Sequence, residues 1–183
     1  MEKPESEVAG KIRDISFDPK DWDKIKELID NKSIISKSLE GLLISRDFGL
    51  RAESVTNIRT KDITLSQGGA SLHIYKDKGN RDRTLITRDL NVIGRLEDLV
   101  KNKGAEDRLI PIKPDSINRQ LARLETELGI REKYQKARTG LHAIRKMWAK
   151  EQFISHMESG MIKQEAMDKT SEDLGHGKNR NEL

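Results

Sequence analysis

The spacing of apolar residues changes twice along this chain, and this change constrains the fold more than any other feature. Three short segments, residues 63–65, 71–75 and 83–87, are typical of strands, and turn-forming residues separate them at 67–69 and 78–80. The segments on either side carry apolar residues at helical spacing. The sequence therefore predicts an α+β domain that is mainly α, with a small three-stranded antiparallel sheet.

Helix signals divide the rest of the chain. Asp18-Pro19 predicts the start of a first helix, because aspartate caps a helix well and proline is tolerated in the first turn. Asp115 is predicted to cap a later helix, and residues 131–140 are predicted to form a basic loop. Further helices are predicted at residues 34–48, 53–58, 90–101, 141–156 and 162–173. Residues 1–17 are interpreted as a flexible lead-in, so that one domain covers residues 18–183.

The composition excludes several classes of site. The chain has no cysteine, which excludes disulfides, thiolate catalysis and cysteine-bound zinc. Its four histidines are too scattered to indicate a metal site. No apolar run approaches the roughly 18 residues that a membrane span needs, and the N-terminus does not resemble a signal peptide. We expect a soluble, cytoplasmic protein that needs no metal or other cofactor.

Four short motifs with basic or imidazole side chains follow one another along the chain. Arg51 lies in the sequence GLRAE and Lys78 in KGNR, His142 and Arg145 lie in LHAIR, and His176 lies in LGHG. Each motif alone is a weak signal, because such residues are common on protein surfaces. Their order, spacing and predicted structural setting together indicate a single site.

These side chains suit chemistry on a phosphate group. An arginine offers paired hydrogen bonds to phosphate oxygens and stays charged. His142 and Arg145 are three residues apart and therefore share one face of the predicted helix. Lys78, on a hairpin, could act as a general acid toward a leaving oxygen. Such a set fits phosphoryl transfer on a DNA backbone, where catalysis is mostly positioning and charge stabilisation.

The four motifs resemble those of the tyrosine recombinases, the phage integrase family. GLRAE resembles the GLRxxE box of that family, with the acid one place early at Glu53 and Ser54 in its usual position. KGNR resembles the family's KGNK turn. LHAIR resembles the HxLRH box with Lys146 at the closing histidine, and LGHG resembles the LGHS box with Gly177 in place of serine.

The resemblance implies a catalytic domain that cuts and rejoins double-stranded DNA at specific sites through a 3′-phosphotyrosyl link, without metal or nucleotide. It implies a homo-oligomer, a tetramer on DNA, in the full-length protein of a prokaryotic host or its virus or mobile element. The residues that the motifs predict to be catalytic are Arg51, Lys78, His142, Arg145 and His176. The residues predicted to bind DNA, all in the two basic segments 76–88 and 131–150, are Lys76, Arg81, Arg83, Arg138 and Lys146.

The attacking tyrosine is missing from its expected place. In the family it follows the histidine of the LGH box closely, which here places it beyond Leu183. Tyr75, on a predicted strand, and Tyr134, in the predicted basic loop, do not fit the motif, although Lys133 and Lys136 are expected to lower the pKa of Tyr134. We expect the 183 residues to end before the nucleophile and to bind DNA without completing the reaction.

Three other interpretations stay open. A non-catalytic DNA-binding module of the same fold would use Arg51, Lys78 and Arg145 for binding and would have no tyrosine. A type IB topoisomerase reaction uses a similar set of residues. A protein–protein interaction domain could present the basic face to an acidic partner, and salt-dependent affinity for random duplex DNA would argue against it.

Overall fold

The middle of the chain forms a small sheet that helices flank on both sides in sequence. In a computed structural model, the described residues are 15–77, 81–135 and 140–176, and the side chains at positions 76, 77 and 81 are not described. The strands are β1 (Ile63–Ser66), β2 (Gly69–Asp77) and β3 (Arg81–Thr87), preceded by a 3₁₀ turn at Thr60–Asp62. The helices are α1 (Pro19–Asn31), α2 (Lys37–Phe48), α3 (Ala52–Asn57), α4 (Leu90–Val100), α5 (Pro114–Glu127), α6 (Arg131–Gln135), α7 (Gly140–Glu158) and α8 (Lys163–Asp173).

The sheet is antiparallel in the order β1-β2-β3, which confirms the predicted three-stranded antiparallel sheet. Leu72 of β2 lies opposite Ile63 of β1 and Leu85 of β3. Leu72 and Leu85 are buried, so one face of the sheet covers the core. The ladder between β2 and β3 shifts register between Ile74 and Asp77. Such a bulge places an extra residue in one strand and turns its side chains away from the regular direction.

Side-chain caps begin α1, α2 and α4. Asp18 accepts a hydrogen bond from the amide of Lys20 at 3.0 Å, as the Asp-Pro pair predicts. Helix α2 begins at Lys37, three residues later than expected, because Ser36 is the residue that caps it. The prediction for Asp115 is wrong: α5 begins at Pro114, so Asp115 lies in the first helical turn. Proline fits there because the first-turn amides have no partner within the helix.

Helix α7 forms the centre of the core. Its predicted inward face is confirmed, with Leu141, Ile144 and Trp148 all at most 5% exposed. It packs along α8 and against α2, while α2 also packs against α3 and α5. The core is mostly aliphatic, and its apolar contacts supply most of the stability of such a domain.

The packed domain includes Phe17, which the sequence placed in the lead-in. Its amide donates a hydrogen bond to the carbonyl of Ala143 at 2.9 Å, and its side chain is 1% exposed. Its ring is stacked on the ring of Tyr134 with centroids 3.9 Å apart. Phe17 therefore joins the chain just before α1 to α6 and to the start of α7.

The expected basic loop contains the short helix α6, and the environment predicted for Tyr134 is wrong. The Tyr134 side chain is 1% exposed, and its hydroxyl donates to Oδ2 of Asp21 at 2.7 Å. Burial and that hydrogen bond raise the pKa of Tyr134 to about 12. Lys133 also donates to Asp21, at 2.7 Å. Burial opposes ionisation of Asp21, but the hydrogen bonds from Lys133, Tyr134 and Lys24 outweigh it and hold the pKa of Asp21 at about 2.

None of the helices in the described ranges has the length and apolar character that crossing a bilayer requires.

Candidate active site and the adjoining cleft

A glycine turn at the end of α2 places the first motif. Gly49 has the left-handed φ of 60° that ends many helices. The amide of Leu50 then donates back to the carbonyl of Ser45 at 2.9 Å. The hydroxyl of Ser45 donates to the carbonyl of Leu50 at 2.6 Å in a buried position. These bonds fix the backbone immediately before Arg51, which is the N-cap residue of the short helix α3.

A second glycine turn of the same kind places the last motif. Gly175 has a φ of 73° and follows the end of α8. The amide of His176 donates to the carbonyl of Ser171 at 2.8 Å, and the amide of Gly175 donates to Glu172 at 2.7 Å. This pair of bonds is the Schellman arrangement, which requires a residue that tolerates positive φ. The turn geometry therefore explains the glycine at position 175 without reference to any chemistry at the site.

Arg145 connects the two glycine turns. Its side chain is buried, at 5% exposure, and it extends from the second turn of α7. One terminal nitrogen donates to the carbonyl of Gly49 and the other to the carbonyl of Leu174. A buried carbonyl at a helix end needs such a donor, because no amide of the helix reaches it. Arg145 therefore holds the turns that carry Arg51 and His176 beside each other.

Arg51 and His176 meet at the surface of this assembly. A terminal nitrogen of Arg51 lies 3.4 Å from Nε2 of His176. A guanidinium can only donate hydrogen bonds, so in this contact the Arg51 nitrogen donates and Nε2 of His176 accepts. The structure thus brings together three of the five predicted catalytic side chains, which come from segments far apart in sequence.

The ring of Trp148 leaves no room for a side chain at Gly49, which is a second reason for glycine in the first turn. A Cβ atom built on Gly49 would lie 2.3 Å from Cε3 of the Trp148 ring. The indole nitrogen of Trp148 donates to the carbonyl of Asp47 at 3.0 Å, which holds the ring in that place. The helix that carries Arg145 therefore supports the Arg51 turn through both an arginine and an indole.

The remaining predicted site residues lie in different settings. His142 is exposed in the first turn of α7, one turn before Arg145. Arg83 is buried on β3, at 8% exposure, and Lys146 is half-buried. Lys78 and Arg138 lie outside the described residues. For Lys76 and Arg81 the backbone belongs to β2 and β3, and their side chains lie outside the description.

Arg51 also lines a cleft of about 950 Å³ between α3 and the sheet. Sequence reasoning missed the residues that form its other walls. They include Asn57, Arg59, Lys61, His73 and Tyr75. The signal that could have indicated the sheet wall is the alternation in β2, where His73 and Tyr75 flank the buried Ile74.

The cleft is lined by two cationic side chains besides Arg51, Arg59 and Lys61, and by the carboxylates Glu53 and Asp62. Arg59 and Lys61 both form ion pairs with Glu106, with nitrogen–oxygen distances of 3.6 and 2.7 Å. Glu106 is 68% exposed, so these are surface pairs that water and salt weaken. The charged wall is therefore accessible from solvent.

Comparison with known proteins assigns the architecture. A structure of the XerH site-specific recombinase bound to difH substrate in a pre-cleavage complex matches with a TM-score of 0.63 at 18% identity, over 88% of this chain and 47% of that one. A post-cleavage complex of XerH with palindromic difH substrate matches with a TM-score of 0.66 at 18% identity, over 93% of this chain and 49% of that one. This chain has the tyrosine recombinase fold.

Sequence similarity supports the same relationship for part of the recombinase fold. The tyrosine recombinase XerA of Saccharolobus solfataricus is 32% identical over 84 residues, which are 46% of this chain and 28% of XerA. No protein-family model matches the chain. The chain spans less than half the length of each of these proteins. The resemblance that the motifs indicated, and the predicted fold class, are confirmed.

Proposed function

We propose that the chain is the catalytic domain of a site-specific DNA recombinase. The observation that carries this proposal is the convergence of Arg51, Arg145 and His176, which the sequence separates widely and the two glycine turns bring together. In the proposal the group that binds there is a phosphodiester of double-stranded DNA. The similarity to XerA and XerH supports the choice of DNA as substrate.

The roles of the side chains follow from their chemistry. Arg51 donates to the non-bridging oxygens of the phosphate and stabilises the charge that builds on them as phosphorus gains a fifth ligand. Arg145 holds the two turns that carry Arg51 and His176 in position. Its permanent positive charge adds to the attraction of the site for a phosphate. His176 hydrogen-bonds the phosphate or takes part in moving the proton of the attacking hydroxyl. His142, exposed one turn before Arg145, is assigned with His176 to accept the proton of the attacking hydroxyl. Lys78 is assigned to protonate the leaving oxygen.

The attacking group in this proposal is a tyrosine beyond Leu183, as the resemblance to the family implies. Its phenolate oxygen would bond to phosphorus while the 5′-oxygen of the cut strand leaves and takes a proton, so that the energy of the phosphodiester is kept for rejoining. Tyr134 is not assigned this role, because its hydroxyl is buried and bonded to Asp21. The complete protein is proposed to act as a homo-oligomer, a tetramer on DNA, in the cytoplasm.

Binding is tested by the salt dependence of duplex affinity. Loss of one arginine–phosphate contact should reduce the slope of log affinity against log salt by about one. We expect that reduction for Arg51→Ala and no change for Arg119→Ala, which removes an exposed arginine of α5 that does not line the cleft. Equal effects of the two substitutions would show that the chain senses net charge and has no phosphate site at Arg51.

Catalysis is tested with a nicked suicide duplex, which traps a covalent intermediate. A chain continued along its gene past Leu183 should form a denaturation-resistant adduct, and the Arg51→Ala variant of that longer chain should form far less. Salt-sensitive binding without an adduct in the longer chain would favour the non-catalytic DNA-binding module. An adduct formed by the 183-residue chain and abolished by Tyr134→Phe would overturn the assignment of the nucleophile.

A further inference from the structure

Tyr75 is an unusual aromatic residue for this chain. The sequence holds three phenylalanines, two tryptophans and two tyrosines, all within the described ranges. Phe153 is half-buried and Tyr75 is 59% exposed. The others are all buried, and they are Phe17, Trp22, Phe48, Tyr134 and Trp148. A chain with few aromatic residues thus exposes one of them, and the exposed one lines the cleft beside Arg51.

The backbone around Tyr75 directs its side chain in a defined way. Tyr75 follows the last regular pair of β2 and β3, Ile74 with Arg83, and lies within the register shift that ends at Asp77. Bulges of this kind commonly re-aim a side chain beside a functional site. The ring of His73, two residues earlier on the same face, contacts the Tyr75 ring edge-on with centroids 4.2 Å apart.

His73 is itself fixed by the neighbouring strand. Its Nδ1 lies 2.9 Å from Oγ1 of Thr84 on β3. The imidazole therefore supports Tyr75 from one side and limits the positions that its ring can adopt. A ring held in this way and still 59% exposed offers an aromatic surface at low entropic cost.

Resting on the proposed function, we propose that Tyr75, supported by His73, is a stacking platform for an unpaired nucleobase of the DNA strand whose phosphate Arg51 binds. A reaction that exchanges strands must unpair bases beside the cut, and an unpaired base exposes an apolar face to water. Aromatic side chains bind such faces without regard to sequence, while cationic side chains follow the backbone. Arg59 and Lys61, on the same cleft, supply the cations for the neighbouring phosphates.

The platform is tested by comparing single-stranded and duplex DNA of equal length with the 183-residue chain. Tyr75→Leu should weaken single-strand binding by about 5- to 150-fold, the range for loss of one base–aromatic stack, and should leave duplex affinity nearly unchanged. Tyr75→Phe should bind single strands almost as well as the wild type, since the ring remains. Ile86→Ala, on β3 at a position 76% exposed, is the matched control and should change neither affinity.

The outcomes separate this inference from the proposed function. Arg51→Ala should weaken single-strand and duplex binding together and reduce both salt slopes, while Tyr75→Leu should leave both slopes intact. The platform is overturned if Tyr75→Leu leaves the affinity for single strands unchanged or lowers the affinities for both DNA forms equally. It is also overturned if Tyr75→Phe lowers the affinity for single strands as much as Tyr75→Leu does. Failure of the wild-type chain to bind either form would overturn the proposed function and this inference with it.

Discussion

Gly49→Ala tests how the first glycine turn holds the site together. The substitution has two costs. An alanine at φ 60° adopts a left-handed conformation, which costs about 1 kcal/mol. Its Cβ would also lie 2.3 Å from the Trp148 ring, and moving a packed ring aside costs about 1–3 kcal/mol. We therefore expect a decrease of about 2–4 kcal/mol in the free energy of unfolding, as the sum of these two terms.

Gly129→Ala is the matched control for the backbone term. Gly129 has a φ of 67°, close to that of Gly49, and a Cβ there would meet no atom within 4 Å. Only the conformational cost of about 1 kcal/mol applies to it. The difference between the two variants therefore measures the contact with Trp148 alone.

Urea unfolding followed by far-UV circular dichroism gives both free energies. Tryptophan fluorescence is the poorer probe, because Gly49→Ala moves the Trp148 ring itself. In a Trp148→Leu background the penalty of Gly49→Ala should fall to that of Gly129→Ala, since the ring is gone. Equal destabilisation by Gly49→Ala and Gly129→Ala in the wild-type background would refute the reasoning, because it would show that the ring yields without cost.

Three further predictions concern buried polar groups. Tyr134→Phe removes the hydroxyl that donates to the Asp21 carboxylate and should lower the free energy of unfolding by about 1–3 kcal/mol in urea titrations; an unchanged value would show that the bond is not net stabilising. Arg145→Lys leaves one of two buried carbonyls without a donor, because an ammonium has no planar fork to reach both; we expect a loss of about 1–3 kcal/mol and a changed His176 imidazole resonance in NMR spectra. Burial raises the pKa of Glu125 from 4.5 to about 7 in spite of Arg131. Between these pH values the unfolded chain has lost a proton that the folded chain keeps, so wild-type stability falls as the pH rises. The free energy of unfolding of Glu125→Gln should therefore rise by about 1–3 kcal/mol relative to that of the wild type between about pH 5 and about pH 8. A difference between the two proteins that urea titrations show to be independent of pH would contradict this.

Local sequence signals determined the elements and their order. The Asp-Pro pair before α1, the alternation in the sheet segment and the apolar face of α7 each depend on residues that are close in sequence. The glycines of the first and last motifs belong to the same class, because a helix that ends in a left-handed residue favours glycine whatever surrounds it. The fold class and the recombinase resemblance followed from these signals.

Tertiary packing decided what local signals could not indicate. Tyr134 and its lysine neighbours suggested a lowered pKa, but Asp21, more than a hundred residues away in sequence, accepts its hydrogen bond and burial raises the pKa instead. The motif containing Arg145 indicated a phosphate ligand, and the structure shows it also holding two distant helix ends. Such effects depend on which segments meet, and a pKa or a hydrogen bond responds to every neighbour in space, whether or not it is near in sequence.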